Sequence, residues 1–253
     1  MSEIDQSRAP LLDHLIELRR RLLWCVAAVA AAFAICLYFA RPIFAFLVQP
    51  LLRAGQGRLI YTNIFEAFFV EIKVAFFAAI MLAFPIVAMQ IWQFVAPGLY
   101  RNEKRAFLPF LFLTPLLFLT GASLAYFVAV PVALHFLLGY QGNIGGVQQM
   151  ALPGVGNYLD FVTKFIFGFG VAFLLPVLLM LMERAGIVTR AQLKAGRRYA
   201  IVAAFAIAAV LTPPDVVSQL TLAVPLVLLY EIALIAIWFT ERRRQRLPAS
   251  EQT

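Results

Sequence analysis

The sequence predicts an all-α membrane protein with six transmembrane helices and both termini on one side of the membrane. The chain has 253 residues, of which 63% are hydrophobic and 13% are charged. That is about half the charged fraction of a soluble domain. The apolar residues form long runs, and about 20 helical residues cross a hydrocarbon core of about 30 Å.

The six helices are expected within a single integral membrane domain that covers residues 1–253. They are predicted at residues 22–40, 71–96, 107–135, 159–182, 199–211 and 216–238. An amphipathic segment at 1–21 precedes them and a polar tail at 240–253 follows. Helices five and six are expected to be short, and the fifth supplies only about 20 Å before the turn at Thr212-Pro213-Pro214-Asp215. Either the membrane thins beside this hairpin or neighbouring helices hide the mismatch of about 10 Å.

The Lys and Arg residues predict the orientation, because their bias across short loops sets it. Sixteen of the 21 lie in the N-terminal segment, the tail and the loops at 97–106 and 184–198. The loops on the opposite side contain only Arg53 and Arg58. Both termini are therefore predicted to be cytoplasmic. The cations concentrated on this side can bind anionic lipid headgroups. The net charge of +8 therefore does not indicate nucleic-acid binding.

The first apolar run predicts an uncleaved helix, since its roughly 19 residues exceed a usual signal-peptide core and acidic residues precede it. Cys25 and Cys36 both lie on this helix, roughly 16 Å apart along its axis. That separation is too large for a disulfide within one chain.

No catalytic site, metal site or cofactor site is predicted. The two histidines, His14 and His135, lie on separate segments, and no phosphate-binding loop of the Gly-x-x-x-x-Gly-Lys-Ser/Thr type is present. Ser123 lacks the second glycine of a nucleophile elbow. The sequence therefore predicts a protein that is not an enzyme.

Polar residues within the apolar runs are candidate functional groups, because burying a charge in the bilayer costs a few kcal/mol. Glu231 lies roughly 12 Å inside the end of helix six. It is either a neutral, protonated residue hydrogen-bonded to a neighbouring helix or a polar recognition or proton-sensitive site. Gln90 and Gln219 are expected to form hydrogen bonds between helices.

Two glutamates, Glu17 and Glu103, lie in basic clusters beside apolar runs, and the charge bias predicts both at the cytoplasmic face. Each is a candidate ligand for a cationic group. Each also has a local explanation, because Glu17 can pair with Arg21 one helical turn later for about 0.2 to 0.5 kcal/mol. Glu103 has Arg101 and other cations beside it.

The chain resembles the TatC family in motifs that extend over about residues 11–239. The matching motifs are His14-Leu-Ile-Glu17-Leu-Arg19, Ile91-Trp-Gln-Phe94-Val-Ala-Pro97-Gly-Leu-Tyr100-Arg101-Asn-Glu103, Ala125-Tyr126-Phe127, Leu211-Thr-Pro-Pro-Asp215-Val-Val-Ser-Gln219 and Glu231. The loop before Glu103 and the Thr-Pro-Pro-Asp turn are the most specific of them.

The resemblance implies a concave bundle in the bacterial inner membrane that receives twin-arginine signal peptides. Oligomers of it would act with the single-span partners TatA and TatB to export folded proteins, driven by the proton-motive force. It implies signal-peptide binding by Glu17, Glu103, Arg19, Phe94, Pro97, Tyr100 and Arg101. It implies intramembrane or partner-binding roles for Gln90, Tyr126, Asp215, Gln219 and Glu231. Structural roles are implied for Pro50, Pro85, Pro213 and Pro214.

One position departs from the family pattern, since Leu174 stands where many relatives have a glutamate. A polar interior site on helix four is therefore in doubt, and the chain is expected to do without it or to rely more on Gln90. Two alternative functions stay open on the residues alone. A small-solute permease would use intramembrane polar groups such as Glu231, and a scaffold would tolerate glutamine at Glu17 and Glu103.

Overall fold

The computed structural model describes the backbone of residues 3–99, 104–212 and 215–246, and the side chains of 14–94, 111–143, 145–212 and 215–242. This part of the chain is helical except for its turns and loops, one small β-hairpin and a parallel bridge between Ile60 and Gly154. The helices are α1 (Glu3–Tyr38), α2 (Ala40–Arg53), α3 (Glu66–Leu99), α4 (Lys104–Leu124), a π-helical segment (Ala125–Ala129), α5 (Val130–Leu138), α6 (Val155–Ala172), α7 (Leu175–Arg184), α8 (Arg190–Ala195), α9 (Arg197–Leu211) and α10 (Val216–Arg246).

Five helical stretches of the described residues are long and apolar enough to span a membrane. They are His14–Tyr38, Glu66–Phe94, Leu111–Leu138, Val155–Arg184 and Val216–Arg242. They coincide with five of the six helices expected from the sequence, which confirms an all-α, multi-span fold. Helix α9 has 15 residues, or about 22 Å, so its crossing of the membrane stays a prediction.

The chain forms two compact units, and the expected single domain stays a prediction. The first unit comprises Met1–Leu47 and Asn63–Pro115. Within it α1 packs against α3 through small buried side chains, among them Ala32 and Ala79. Small residues let helix backbones approach closely where lipid removes the hydrophobic driving force. Cys25 and Cys36 are both free, as their spacing predicts.

The second unit comprises Val48–Thr62 and Leu116–Thr253. Its core contains Phe118, Phe165 and Phe169, each at most 2% exposed. Outside the long helices, β1 (Gly142–Ile144) and β2 (Val147–Gln149) form an antiparallel hairpin. Its two-residue turn is Gly145-Gly146, with φ of 61° and 89°, angles that glycine adopts without steric cost.

The first and last helices are longer than expected. The segment at 1–21 is continuous with the first transmembrane helix in α1, from Glu3 to Tyr38. Helix α10 has 31 residues and continues past the apolar run, because arginine and glutamine are good helix formers. The expected short sixth helix is therefore wrong, and only α9 is short. The loop after helix one also contains α2, with Pro50 buried inside it.

Helices three and four are interrupted where continuous helices were expected. In helix four, α6 ends at Ala172 and α7 begins at Leu175. Pro176 at the start of α7 explains the break, because proline has no backbone N–H to donate to the preceding turn. Helix three passes through the π-helical segment, which contains the buried Tyr126. Helix α3, by contrast, passes through Pro85 without a break.

Candidate functional site

Glu17 and Arg21 form a close ion pair on one face of α1. The Arg21 Nη2 and Nε atoms donate to the same carboxylate oxygen, Glu17 Oε1, at 2.5 and 2.9 Å. The Glu17 side chain is 34% exposed. Among the described residues no donor reaches its other oxygen, Oε2. The local pair expected from the sequence is therefore present, and it occupies only half of the carboxylate.

Arg21 also joins α1 to α3. Its Nη1 atom donates to Gln93 Oε1 at 2.7 Å and to Gln90 Oε1 at 3.4 Å. Gln90 thus makes the hydrogen bond between helices that the sequence predicts. The guanidinium is held by two neutral acceptors in addition to Glu17, so its position does not depend on the glutamate alone.

An aromatic stack lies one turn further toward the start of α1. The rings of His14 and Phe94 are 4.3 Å apart between centroids and 17° from parallel. On α3, the indole N–H of Trp92 donates to Thr114 Oγ1 at 2.8 Å, and both residues are buried. This bond fixes the rotation of α3 beside Phe94. We name His14, Glu17, Arg21, Gln90, Gln93 and Phe94 the α1–α3 cluster.

The structure brings some of the predicted recognition residues together and does not address others. Glu17 and Phe94 both belong to the α1–α3 cluster, which also contains Gln90, a residue with an expected intramembrane or partner-binding role. Arg19 is exposed, and its place two residues after Glu17 puts it on another face of the helix. The remaining predicted recognition residues have side chains outside the described part of the chain, namely Pro97, Tyr100, Arg101 and Glu103.

The turn between α9 and α10 forms a second polar site. Asp215 Oδ1 accepts a hydrogen bond from the backbone N–H of Ser218 at 2.6 Å, the contact of a helix N-cap. Its other oxygen, Oδ2, is buried without a partner among the described residues, as is Ser218 Oγ. Gln219 Nε2 donates to the Phe205 carbonyl at 3.3 Å, which is the helix-to-helix bond expected for it. Pro213 and Pro214 lie outside the described residues.

We expect Asp215→Ala to lower the free energy of unfolding by about 1 kcal/mol, because the first turn of α10 loses its cap. Asp215→Asn keeps an accepting side-chain oxygen and should lose less than half as much. Denaturation of the two variants in detergent micelles measures the difference. Equal losses would show that the carboxylate charge, rather than the cap, stabilises this turn.

Glu231 is ion-paired, which contradicts the first of its two interpretations, a neutral residue hydrogen-bonded to a neighbouring helix; a role as a polar recognition or proton-sensitive site stays a prediction. Arg197 Nη2 lies 2.8 Å from Glu231 Oε2, with the two side chains 51% and 39% exposed. Arg197 is the first residue of α9. The apolar run around Glu231 contains no basic residue, so its partner on the preceding helix could not be found from local spacing.

A scan against protein-family models places residues 13–225 in the family described as "Sec-independent protein translocase protein (TatC)". The chain belongs to the TatC family. It is 46% identical to the TatC of Magnetococcus marinus, over 98% of this chain and 90% of that protein. It is 39% identical to the TatC of Aquifex aeolicus, over 94% of this chain and 98% of that protein.

A crystal structure described as the twin-arginine translocase receptor TatC has the same fold. Its TM-score is 0.77 at 40% identity, with 89% of this chain and 98% of that chain covered. Members of the TatC family are components of a protein translocase and are not enzymes, which agrees with the expected absence of a catalytic constellation.

Leu174 gives this TatC-family chain an apolar surface at the break in helix four. It lines a cavity of about 480 Å³ together with apolar residues that include Leu178, Ile207 and Leu226. Every lining residue is apolar, so the described structure offers no substitute acid at this position. Gln90 belongs to the other unit and is engaged by Arg21.

Two contributors to the α1–α3 cluster were missed in the sequence. Gln93 lies three residues after Gln90, so both amides lie on neighbouring positions of one helix face. Paired amides in an otherwise apolar run were the available signal. His14 belongs to a motif that resembles the TatC family but was given no binding role, although its spacing from Glu17 places both on the same side of α1.

Proposed function

We propose that this chain is the signal-peptide receptor of a twin-arginine translocase and that Glu17 binds a guanidinium of the signal peptide. The observation that supports this role is the carboxylate oxygen Oε2, which no donor reaches among the described residues, beside an oxygen already bonded to Arg21. A guanidinium donates two parallel N–H groups to a carboxylate, whereas an ammonium is a point charge. Glu103, Arg19, Pro97, Tyr100 and Arg101 complete the proposed binding surface.

The proposed orientation places both termini and the α1–α3 cluster on the cytoplasmic side of a bacterial inner membrane. The bias of sixteen Lys and Arg residues toward that side supports it. There the receptor forms oligomers and recruits TatA- and TatB-type single-span subunits. Tyr126, Asp215, Gln219 and Glu231 act in the membrane-embedded contacts. Folded proteins then cross the membrane, driven by the proton-motive force.

The ion pair of Glu231 removes the main support for a permease. Arg197 neutralises that carboxylate at the first residue of α9. A permease requires polar groups that converge near the bilayer midplane. The described part of helix four instead presents the apolar cavity around Leu174.

Photo-crosslinking with two matched signal peptides tests the receptor function. The peptides differ only in Arg-Arg against Lys-Lys, and each has a photoreactive residue shortly after the pair. We expect the Arg-Arg peptide to label the protein roughly tenfold more strongly, because lysine is a point charge and does not reproduce the planar, charge-assisted contacts of arginine. Equal labelling by the two peptides would favour a scaffold or permease and contradict the proposal.

A further inference from the structure

A second cationic site lies at the far end of α10, where two guanidinium groups face one indole ring. The Arg242 guanidinium carbon is 3.9 Å from the centroid of the Trp238 ring. The Arg190 guanidinium carbon is 5.8 Å from the same centroid. Both distances fall within the roughly 6 Å range of cation–π attraction.

Arg190 is held in place by the start of α8. Thr189 and Gln192 form a reciprocal capping box that fixes the backbone at Arg190. The Arg190 Nη1 atom lies 3.4 Å from Glu241 Oε2. Its Nε atom is buried and has no acceptor among the described residues. Among the described residues, Arg190 thus has a donor that no acceptor satisfies.

The charges of this site do not balance. Two guanidinium groups share the Trp238 ring, and Glu241 is the one acid that contacts either of them among the described residues. Like charges against one ring repel each other unless an anion lies near both. A phosphate group is suited to that place, since its oxygens accept several charge-assisted hydrogen bonds from arginine.

The location favours a phosphate attached to a lipid. The apolar run of α10 ends at Phe239, shortly before Arg242, and tryptophan is typical of the headgroup level. Ile235 and Phe239 on the same helix are 53% and 57% exposed. Both apolar side chains precede Arg242 along α10, and the Phe239 ring lies 5.0 Å from the Trp238 ring.

We propose that Arg190, Trp238 and Arg242 bind the headgroup phosphate of an anionic phospholipid, with Ile235 and Phe239 contacting its acyl chains. The site belongs to the second unit and is independent of signal-peptide recognition. One lipid molecule would thus contact both Arg190 at the start of α8 and Arg242 near the end of α10.

Native mass spectrometry of the purified full-length protein tests the proposal. The protein in detergent is titrated with phosphatidylglycerol or phosphatidylcholine of identical acyl chains. We expect preferential retention of phosphatidylglycerol, and at least a fivefold weaker retention by Arg190→Gln with Arg242→Gln. Arg41→Gln with Arg58→Gln removes the same charge elsewhere and should retain the lipid as the unaltered protein does.

A conservative pair of variants keeps the test decisive if the glutamine variant unfolds. Arg190→Lys with Arg242→Lys keeps the charge but loses planar stacking on Trp238, so we expect intermediate retention. Unchanged retention by both the glutamine and the lysine variants would overturn the proposal. So would an equal loss in the Arg41 and Arg58 control. Displacement of the lipid by excess inorganic phosphate would identify a free-phosphate site instead and would also overturn it.

Discussion

Glu17→Gln is expected to weaken capture of an Arg-Arg signal peptide about ten- to hundredfold. Glutamine keeps the shape of the side chain but loses the negative charge, and a hydrogen bond to a charged group is worth about 1.5 to 3 kcal/mol. The fold should persist, because Arg21 keeps Gln90 and Gln93 as acceptors. The lost ion pair should change the free energy of unfolding by about 0.5 kcal/mol at most. Crosslinking yield against peptide concentration measures the effect.

Glu71→Gln is the matched control for this substitution. Glu71 also pairs with an arginine of the preceding helices, Arg41 at 3.1 Å, but lies about 28 Å along α3 from Gln90. We expect it to leave capture unchanged. Glu17→Ala together with Glu103→Ala should abolish capture while the protein remains folded and inserted. Normal capture by that double variant would remove the basis of the proposed recognition site.

Gly121→Ala is expected to destabilise the protein by about 3 kcal/mol. A Cβ at Gly121 would lie 2.5 Å from the Phe169 carbonyl oxygen and 2.7 Å from Phe173 Cγ. The first of these atoms belongs to the backbone of α6, so the helices must separate to make room. Overpacking costs about 1 to 3 kcal/mol, and we expect the upper end here. A thermal denaturation assay in detergent should show a fall in Tm of at least about 6 °C.

Gly57→Ala serves as the control, because a Cβ at Gly57 meets no atom within 4 Å. Its Tm should stay within about 2 °C of the unaltered protein. Gly170→Ala gives an intermediate case, since its Cβ would meet the side chain of Phe118 at 2.6 Å rather than backbone. If the Tm of Gly121→Ala equals that of Gly57→Ala, α4 and α6 separate at little cost in free energy, and the prediction is wrong.

The transmembrane helices were predictable because the bilayer demands long apolar runs, and hydropathy detects them directly. Interruptions within those runs were not. The break before Pro176 does not change the hydropathy of the run. The π-helical segment around Tyr126 is a change of backbone hydrogen bonding that no residue type predicts. The extension of α10 to Arg246 was missed because the prediction ended the helix with the apolar run, although helix propensity continues through the arginines.

The acidic residues of the candidate site could be predicted from the sequence, but most of the residues that contact them could not. Glu17 stood out as a carboxylate among cations, and its pairing with Arg21 follows from the helical repeat. The contacts of Arg21 with Gln90 and Gln93 depend on how α1 packs against α3. Likewise, Arg197 reaches Glu231 across 34 residues of sequence, a separation that no local spacing rule covers.

The length of α1 gives the proposed receptor a mechanical property. Its 36 residues form a rod of about 54 Å, and the hydrocarbon core accounts for about 30 Å of that. The remaining 24 Å or so projects as a lever whose pivot lies where α1 packs on α3. A tilt of about 10° within the bilayer sweeps the tip of the rod through roughly 4 Å. A load attached to the N-terminal end of the rod therefore exerts torque on the membrane-embedded half of the same helix.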